Sequence, residues 1–185
     1  MSEPTTDGRR LKGERRKQEL IEATLRVVAR DGVAGVSHRA VSREAGQPAT
    51  AAAYYFKTID DLLTAALTVC MDEDTERVRR MAAEAGRGDG VRLLAERMAR
   101  VVTAESGHLL AEYELFLLAA RRKELREPTD RWMAALSEFA RCHVRDPARV
   151  QVFVGAVDGL LLQALLTDTP PSADAFEAML RELLK

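Results

Sequence analysis

From Glu14 to Arg30 the less polar positions fall at Leu20, Ile21, Thr24, Leu25, Val28 and Ala29. That i, i+1, i+4, i+5, i+8, i+9 spacing marks one face of a helix. Asp31-Gly32 stops the pattern, glycine being a good carboxy-terminal cap. Ser37 can cap a second helix that turns Ala40, Val41 and Ala45 inward and ends at Gly46. Pro48 suits the first turn of a third helix, where its missing N–H costs nothing. Thr58 and Asp61 have the spacing of a capping box for a fourth helix from Asp60 onward. Its apolar face, Leu62, Leu63, Ala66, Leu67, Val69 and Cys70, fades into a polar stretch from Asp72 to Arg80.

Helical patterning continues to the end of the chain. Gly86-Arg87-Gly88-Asp89-Gly90 reads as a loop before amphipathic Val91–Ala104 and strongly apolar Leu109–Leu118. Glu127-Pro128 marks a boundary before Trp132, Met133, Leu136, Phe139 and Ala140. Asp146-Pro147 opens another helix that runs to about Leu166, and Pro170-Pro171-Ser172 breaks it. The final stripe is Phe176, Met179, Leu180, Leu183 and Leu184. No window alternates with period two. The expected fold is all-α, with about nine helices.

Two short helices across a glycine turn, backed by a longer first helix, are the ingredients of a helix-turn-helix. The second short helix can enter the major groove, roughly 12 Å wide. Ala49, Thr50 and Ala51 are small enough to allow close approach, and their methyls can pack on thymine. Arg39 can reach guanine O6 and N7. Tyr54, Tyr55 and Lys57 supply hydroxyls and a charge for phosphates.

Charge is distributed in keeping with this. The 185-residue chain has a formal net charge of −1. Residues 1–57 hold 11 Lys/Arg against 7 Asp/Glu, and the remainder 17 against 22. A basic amino-terminal part joined to an acidic remainder points to a polyanion at one end. The run from Arg9 to Lys17 is either a solvated helix start or an arm near phosphates. Cys70 and Cys142 offer neither a disulfide framework nor a metal spacing, and suit a reducing compartment. The amino terminus lacks the apolar core of a secretion signal. The apolar run from Val150 to Leu166 carries Gln151, Asp158 and Gln163 and reads as too short and polar for a membrane span. A cytoplasmic location is expected.

Residues Arg15 to about Leu67 resemble the DNA-binding domain of the TetR family of transcriptional regulators. The matching features are the first helix ending in Asp31-Gly32, then Ser37, Arg39, Val41, Ser42, Ala45 and Gly46, then Phe56 ten residues on, then Asp60-Asp61-Leu62-Leu63. A segment with Glu114-Leu115, Ala120-Arg121 and Leu125-Arg126 is also similar to many members. The resemblance implies base or phosphate contacts at Arg39, Ala49 and Thr50. It implies phosphate contacts at Ala51, Tyr54 and Tyr55, and an anion near Thr58 at a helix amino terminus. Ala53 and Ile59 stand where the family usually has tyrosine and lysine, each a lost DNA contact. The expected organisation is a flexible basic arm over 1–13, a helix-turn-helix domain over 14–60 and a helical ligand-binding and dimerisation domain over 61–185.

The two apolar helices at the end offer a homodimer, a four-helix bundle in which Gly155, Gly159, Phe176, Met179, Leu180 and Leu183 meet their copies. The family likeness also implies a small-molecule pocket among the middle helices. Large or polar residues on apolar faces are the candidates: Met98, Tyr113, Phe116, Trp132, Phe153, Asp158 and Gln163. Asp158 can face the pocket, a dimer partner or solvent. No nucleophile elbow, metal-ligand spacing or phosphate loop points to an enzyme. The expectation is a ligand-responsive repressor that binds a palindromic double-stranded DNA operator as a homodimer. It needs a small-molecule effector but no cofactor, no metal and no membrane. The alternative is a helical dimer that binds ligand or protein and carries a degenerate DNA head.

Overall fold

The computed structural model describes residues 5–85 and 90–185. Among the described residues there are nine α-helices and no strands: α1 (Thr5–Asp31), α2 (His38–Glu44), α3 (Ala51–Tyr55), α4 (Ile59–Ala85), α5 (Gly90–Thr103), α6 (Ser106–Arg121), α7 (Arg126–Arg141), α8 (Pro147–Leu165) and α9 (Ala173–Leu183). Short 3-10 turns at Val33–Gly35 and Lys123–Leu125 follow α1 and α6. Of the expected loop Gly86–Gly90, residues 86–89 lie outside the described residues and Gly90 opens α5 instead.

Local chemistry sets most boundaries. Gly32 ends α1 at φ 70° and its N–H donates to the Val28 carbonyl at 2.9 Å. This left-handed backbone is accessible to glycine at little cost. Ser37, Asp146 and Ser172 cap α2, α8 and α9 by accepting from Ala40, Ala148 and Ala175 N–H. Thr58 and Asp61 exchange two reciprocal hydrogen bonds of 3.0 Å, the expected capping box.

Three expectations need correction. Helix α1 starts at Thr5 rather than near Glu14, so residues 5–13 of the expected arm are helical. Nothing between Thr5 and Glu14 breaks a helix except Gly8 and Gly13, which α-helices tolerate at about 1 kcal/mol each. Pro48 lies before α3 instead of in its first turn, and its carbonyl accepts from Ala51 N–H at 2.8 Å. At 19 residues, α8 is long and apolar enough to cross a membrane by length and composition alone. One face of it, with Val150, Phe153, Val154, Val157, Leu161 and Ala164, is nevertheless buried in the core.

The amino-terminal helices form a head around Leu20, Ile21, Val28, Val41, Ala52, Phe56, Leu62 and Leu63, all buried. The body packs α4 against α7 and α5 against α9, with α6 and α8 completing it. Helices α1 and α4 join head to body, and α1 also lies along α6.

Candidate nucleic-acid interface and ligand cavity

In the head, side chains hold α2 and α3 in a fixed relation. Ser42 is fully buried, and its hydroxyl accepts from Ala52 N–H at 3.0 Å, joining the two short helices. Gly46 turns the chain at φ 64°. Gln47 then donates to the Arg16 carbonyl and to Glu19, both at 3.0 Å, which ties the turn to α1. Glu44 accepts from Arg26 at 3.0 Å and Arg30 at 2.8 Å, and these hydrogen bonds, Arg30's foremost, hold its carboxyl below the usual range. A five-residue helix has no stability of its own, so these tertiary ties and the buried Ala52 position α3.

The remaining surface has the character expected of a DNA-reading face. Arg39, Ala49, Thr50, Tyr54 and Lys57 are exposed, Tyr54 at 81%. Exposure of that degree is unusual for so large an aromatic ring. Ala51 and Tyr55 are half-buried, and the Tyr55 hydroxyl lies beside Gly13 of α1. Tyr54 and Tyr55 meet edge to face at 5.0 Å. Asp60 pairs with Arg122, Asp61 caps α4 and Glu44 is held by two arginines, whereas Arg39, Arg43 and Lys57 have no carboxylate partner among the described residues. The cations on this face are therefore not tied up in ion pairs. The Thr58 N–H, expected to be free for an anion, is taken by Asp61. Ala53 is exposed, and Ile59 is half-buried and packs on the core.

The body contains a cavity between α4, α5, α6, α7 and α8. Met98, Tyr113, Phe116, Trp132 and Asp158 line it, as expected. Phe153 does not: it is fully buried and stacks on Phe139 at 5.8 Å. Gln163 is exposed on α8, away from the cavity. Of the three alternatives for Asp158, the structure selects the cavity. The cavity volume is about 40 Å³, enough for a water molecule or two. The unbranched side chains of Met81 and Met98 line it and can repack around a larger guest.

The cavity also contains charged groups that periodicity had not singled out. Glu112 of α6 and Asp74 and Arg77 of α4 reach it, as does Arg97 of α5. Arg97 pairs with Asp74 at 3.3 Å and with Glu105 at 2.7 Å, and Arg77 pairs with Asp74 and Glu73. Burial, followed by the nearby Asp74 carboxylate, pushes the Glu112 carboxyl well above the usual range. The Tyr113 hydroxyl donates to Asp158 Oδ1 at 3.3 Å. Burial raises Asp158 to about 6, against the opposing effect of hydrogen bonds from Tyr113 and Trp132. A signal for Glu112 was present, since it is a carboxylate inside the apolar Leu109–Leu118 run. Asp74 and Arg77 gave none, because they sit in a stretch that is polar throughout.

Helix α6 connects cavity and head. Glu112, Tyr113 and Phe116 line the cavity, while the Glu114 carboxylate accepts from Val33 N–H at 2.8 Å and so fastens the turn after α1.

The outer face of α8 is open. Val152, Leu162 and Leu166 are exposed, Leu166 at 89%, and helical spacing places them with Gly155 and Gly159. A Cβ added at either glycine meets nothing within 4 Å. Met179 and Leu183 of α9 are half-buried, but Phe176 and Leu180 are fully buried against the protomer's own core. They are core residues rather than contacts between copies, because α9 turns them onto α5.

Residues 89–185 match the family described as "Tetracyclin repressor-like, C-terminal domain". The chain is 36% identical over 69 residues to the HTH-type transcriptional regulator PksA of Bacillus subtilis (strain 168), covering 37% of this chain and 34% of that protein. It is 31% identical over 111 residues to the HTH-type nicotine-responsive transcriptional repressor HdnoR of Paenarthrobacter nicotinovorans, covering 57% of this chain and 55% of that one. These alignments span about a third and about half of the curated relatives. The crystal structure of multidrug binding protein EbrR complexed with ethidium superposes with a TM-score of 0.72 at 34% identity, over 91% of this chain and 97% of that one. With a carboxy-terminal match over half the chain and a full-length structural relative, the protein belongs to the TetR family of transcriptional regulators.

Proposed function

We propose that this protein is a ligand-responsive transcriptional repressor that acts in the cytoplasm and binds a near-palindromic DNA operator as a homodimer. The observation that carries the reading is the exposed face of Arg39, Ala49, Thr50, Tyr54 and Lys57 on a tied α2–α3 pair, where Arg39 and Lys57 form no ion pair among the described residues. Arg39 and the start of α3 read base edges, and Tyr54, Tyr55 and Lys57 hold phosphates. The open face of α8, with Gly155 and Gly159 allowing close approach, pairs with its copy. Pairing sets two heads roughly 34–36 Å apart, one turn of DNA. A small molecule in the cavity bears on α6, and through Glu114 on the head, favouring dimers whose heads no longer match adjacent grooves. HdnoR is nicotine-responsive and EbrR was crystallised with ethidium, so relatives in this family answer to or hold small organic molecules.

The test is fluorescence anisotropy of the protein on DNA flanking its own gene, beside an unrelated duplex, across a salt series. Preference for the native fragment, with affinity falling steeply as salt rises, is the expected result. Absence of binding to either duplex at low salt would reject DNA recognition. It would favour the reading in which Ala53 and Ile59 mark a degenerate head.

A further inference from the structure

Helix α1 passes both ends of α3. At residues 16–19 it meets the turn that leads into α3, where Gln47 donates to the Arg16 carbonyl and to Glu19. At Gly13 it meets the other end, where a Cβ would lie 3.8 Å from the Tyr55 hydroxyl. The earlier turns therefore emerge past the carboxy-terminal end of α3, beside Tyr54, Tyr55 and Lys57. They stand clear of the head: Gly8, Arg10, Leu11 and Lys12 are exposed, and a Cβ at Gly8 would meet nothing within 4 Å. Residues 5–12 lengthen α1 by about 12 Å, about three to four phosphate steps of a DNA strand. The cations on this half of α1 divide by position. Arg15 pairs with Glu19 at 3.3 Å. Lys17 stands over the Phe56 ring at 5.8 Å, in a groove that also holds Asp60 and Asp61. Lys12 and Arg16 are exposed and form no ion pair among the described residues. Four apart, they share the flank of α1 that meets Gln47 through Glu19. Glu14 stands about 200° away from both around the helix. Like charges four apart weaken a helix unless an anion lies against both, and a phosphate backbone fits such a pair.

Resting on the DNA-binding reading above, we propose that the amino-terminal turns of α1 form a second DNA surface, on which Lys12 and Arg16 hold phosphates outside the stretch of operator that α2 and α3 read. The contact is to backbone charge alone. It therefore lengthens the footprint and adds affinity without adding sequence preference. It also gives the projecting turns a role that packing within the protomer does not. A homodimer carries two such surfaces, one on each head.

The full-length parent is compared with the double variant Lys12→Ala/Arg16→Ala by anisotropy, on DNA flanking the gene and on an unrelated duplex, across a salt series. A second double variant, Arg80→Ala/Arg100→Ala, removes the same charge from exposed arginines of α4 and α5 that form no ion pair among the described residues. Arg80 lies about 30 Å along α4 from Asp60, about three Debye lengths at about 0.1 M salt. The α1 variant should weaken both duplexes alike, at least about tenfold at about 0.1 M salt. Its slope of log affinity against log salt should fall by about two per bound protomer, while the body variant keeps the parent's slope. Hydroxyl-radical footprinting on the bound fragment should show a shorter protected stretch for the α1 variant than for the parent. Thermal melts should coincide, since both side chains are exposed. Lys12→Gln/Arg16→Gln replaces the alanine variant if that one melts lower. An α1 variant with the parent's slope and footprint overturns the proposal. So does an equal loss in the body variant, which would make the effect one of net charge, and so does a loss confined to one duplex. A parent that binds neither duplex at low salt would end the DNA-binding reading and this surface with it. A parent that binds, matched by its α1 variant, would lose this surface alone.

Discussion

Arg39 and Lys57 are both exposed cations on the surface proposed to meet DNA, but they are expected to act differently. Arg39, before the turn, is placed for a base edge. Arg39→Ala should weaken operator binding by about 1–3 kcal/mol and relax discrimination at one position, as measured by anisotropy on operator variants. Equal affinity of mutant and parent for every variant would remove Arg39 from base reading. Lys57, beyond α3, is placed for a phosphate. Lys57→Ala should weaken all sequences alike and reduce the slope of log affinity against log salt by about one. An unchanged slope would place Lys57 off the DNA. Both residues were legible because their chemistry follows from residue type and their positions from the spacing around the two short helices. Ser42 was not legible as the link between α2 and α3. A serine in a short helix looks like a solvent residue until Ala52 N–H is brought against it.

At the scale of elements, caps and faces behave differently. Helix boundaries at Gly32, Ser37, Thr58, Asp146 and Ser172 were readable because a cap acts within four residues of itself. The cap that Glu114 supplies to Val33 comes from 81 positions away. Glu114→Ala leaves that half-buried N–H unpaired, at a cost of about 1–3 kcal/mol. Hydrogen exchange should quicken around residues 33–36 while the α7–α8 core keeps its protection. Unchanged exchange there would show that Glu114 does not hold the head. The open face of α8 makes a separate prediction. A side chain at Gly155 meets nothing inside the protomer, so Gly155→Leu should keep its helical content yet sediment as a monomer. A dimer that survives the change would move the interface elsewhere.

For the whole molecule, the buried acids link stability to pH. Asp158 rises from an ordinary value of 3.8 to about 6 in the fold. A carboxyl with a raised folded value binds its proton more tightly when folded. Its effect is therefore neutral below about pH 4, and stability is lost as pH climbs through about 6. About two units correspond to about 3 kcal/mol at most. Asp158→Asn, which keeps an acceptor for Tyr113, should raise the melting temperature at about pH 8 and change it little near pH 4. A variant that is less stable at about pH 8 would mean that the carboxylate has a counter-charge after all. Stability sacrificed at a functional cavity is a common pattern.

Periodicity and caps, which operate through neighbours three or four residues apart, were enough to identify an all-helical chain, most helix ends and the tandem short helices of the head, while the family likeness rested on the spaced residues from Asp31 to Leu63. Burial depends on partners far along the chain, and only the packed structure decides it. Phe176 and Leu180 look like interface from their stripe alone, yet α5 covers them. Val152 and Leu166 look like core in an apolar run, yet nothing in the protomer covers them. Phe153 and Trp132 are both aromatics on apolar helices, but only Trp132 meets the cavity. The two carboxyls whose ionisation the cavity disfavours, Glu112 on α6 and Asp158 on α8, are 46 residues apart. Each is unremarkable until the fold brings both to one cavity and takes them out of water.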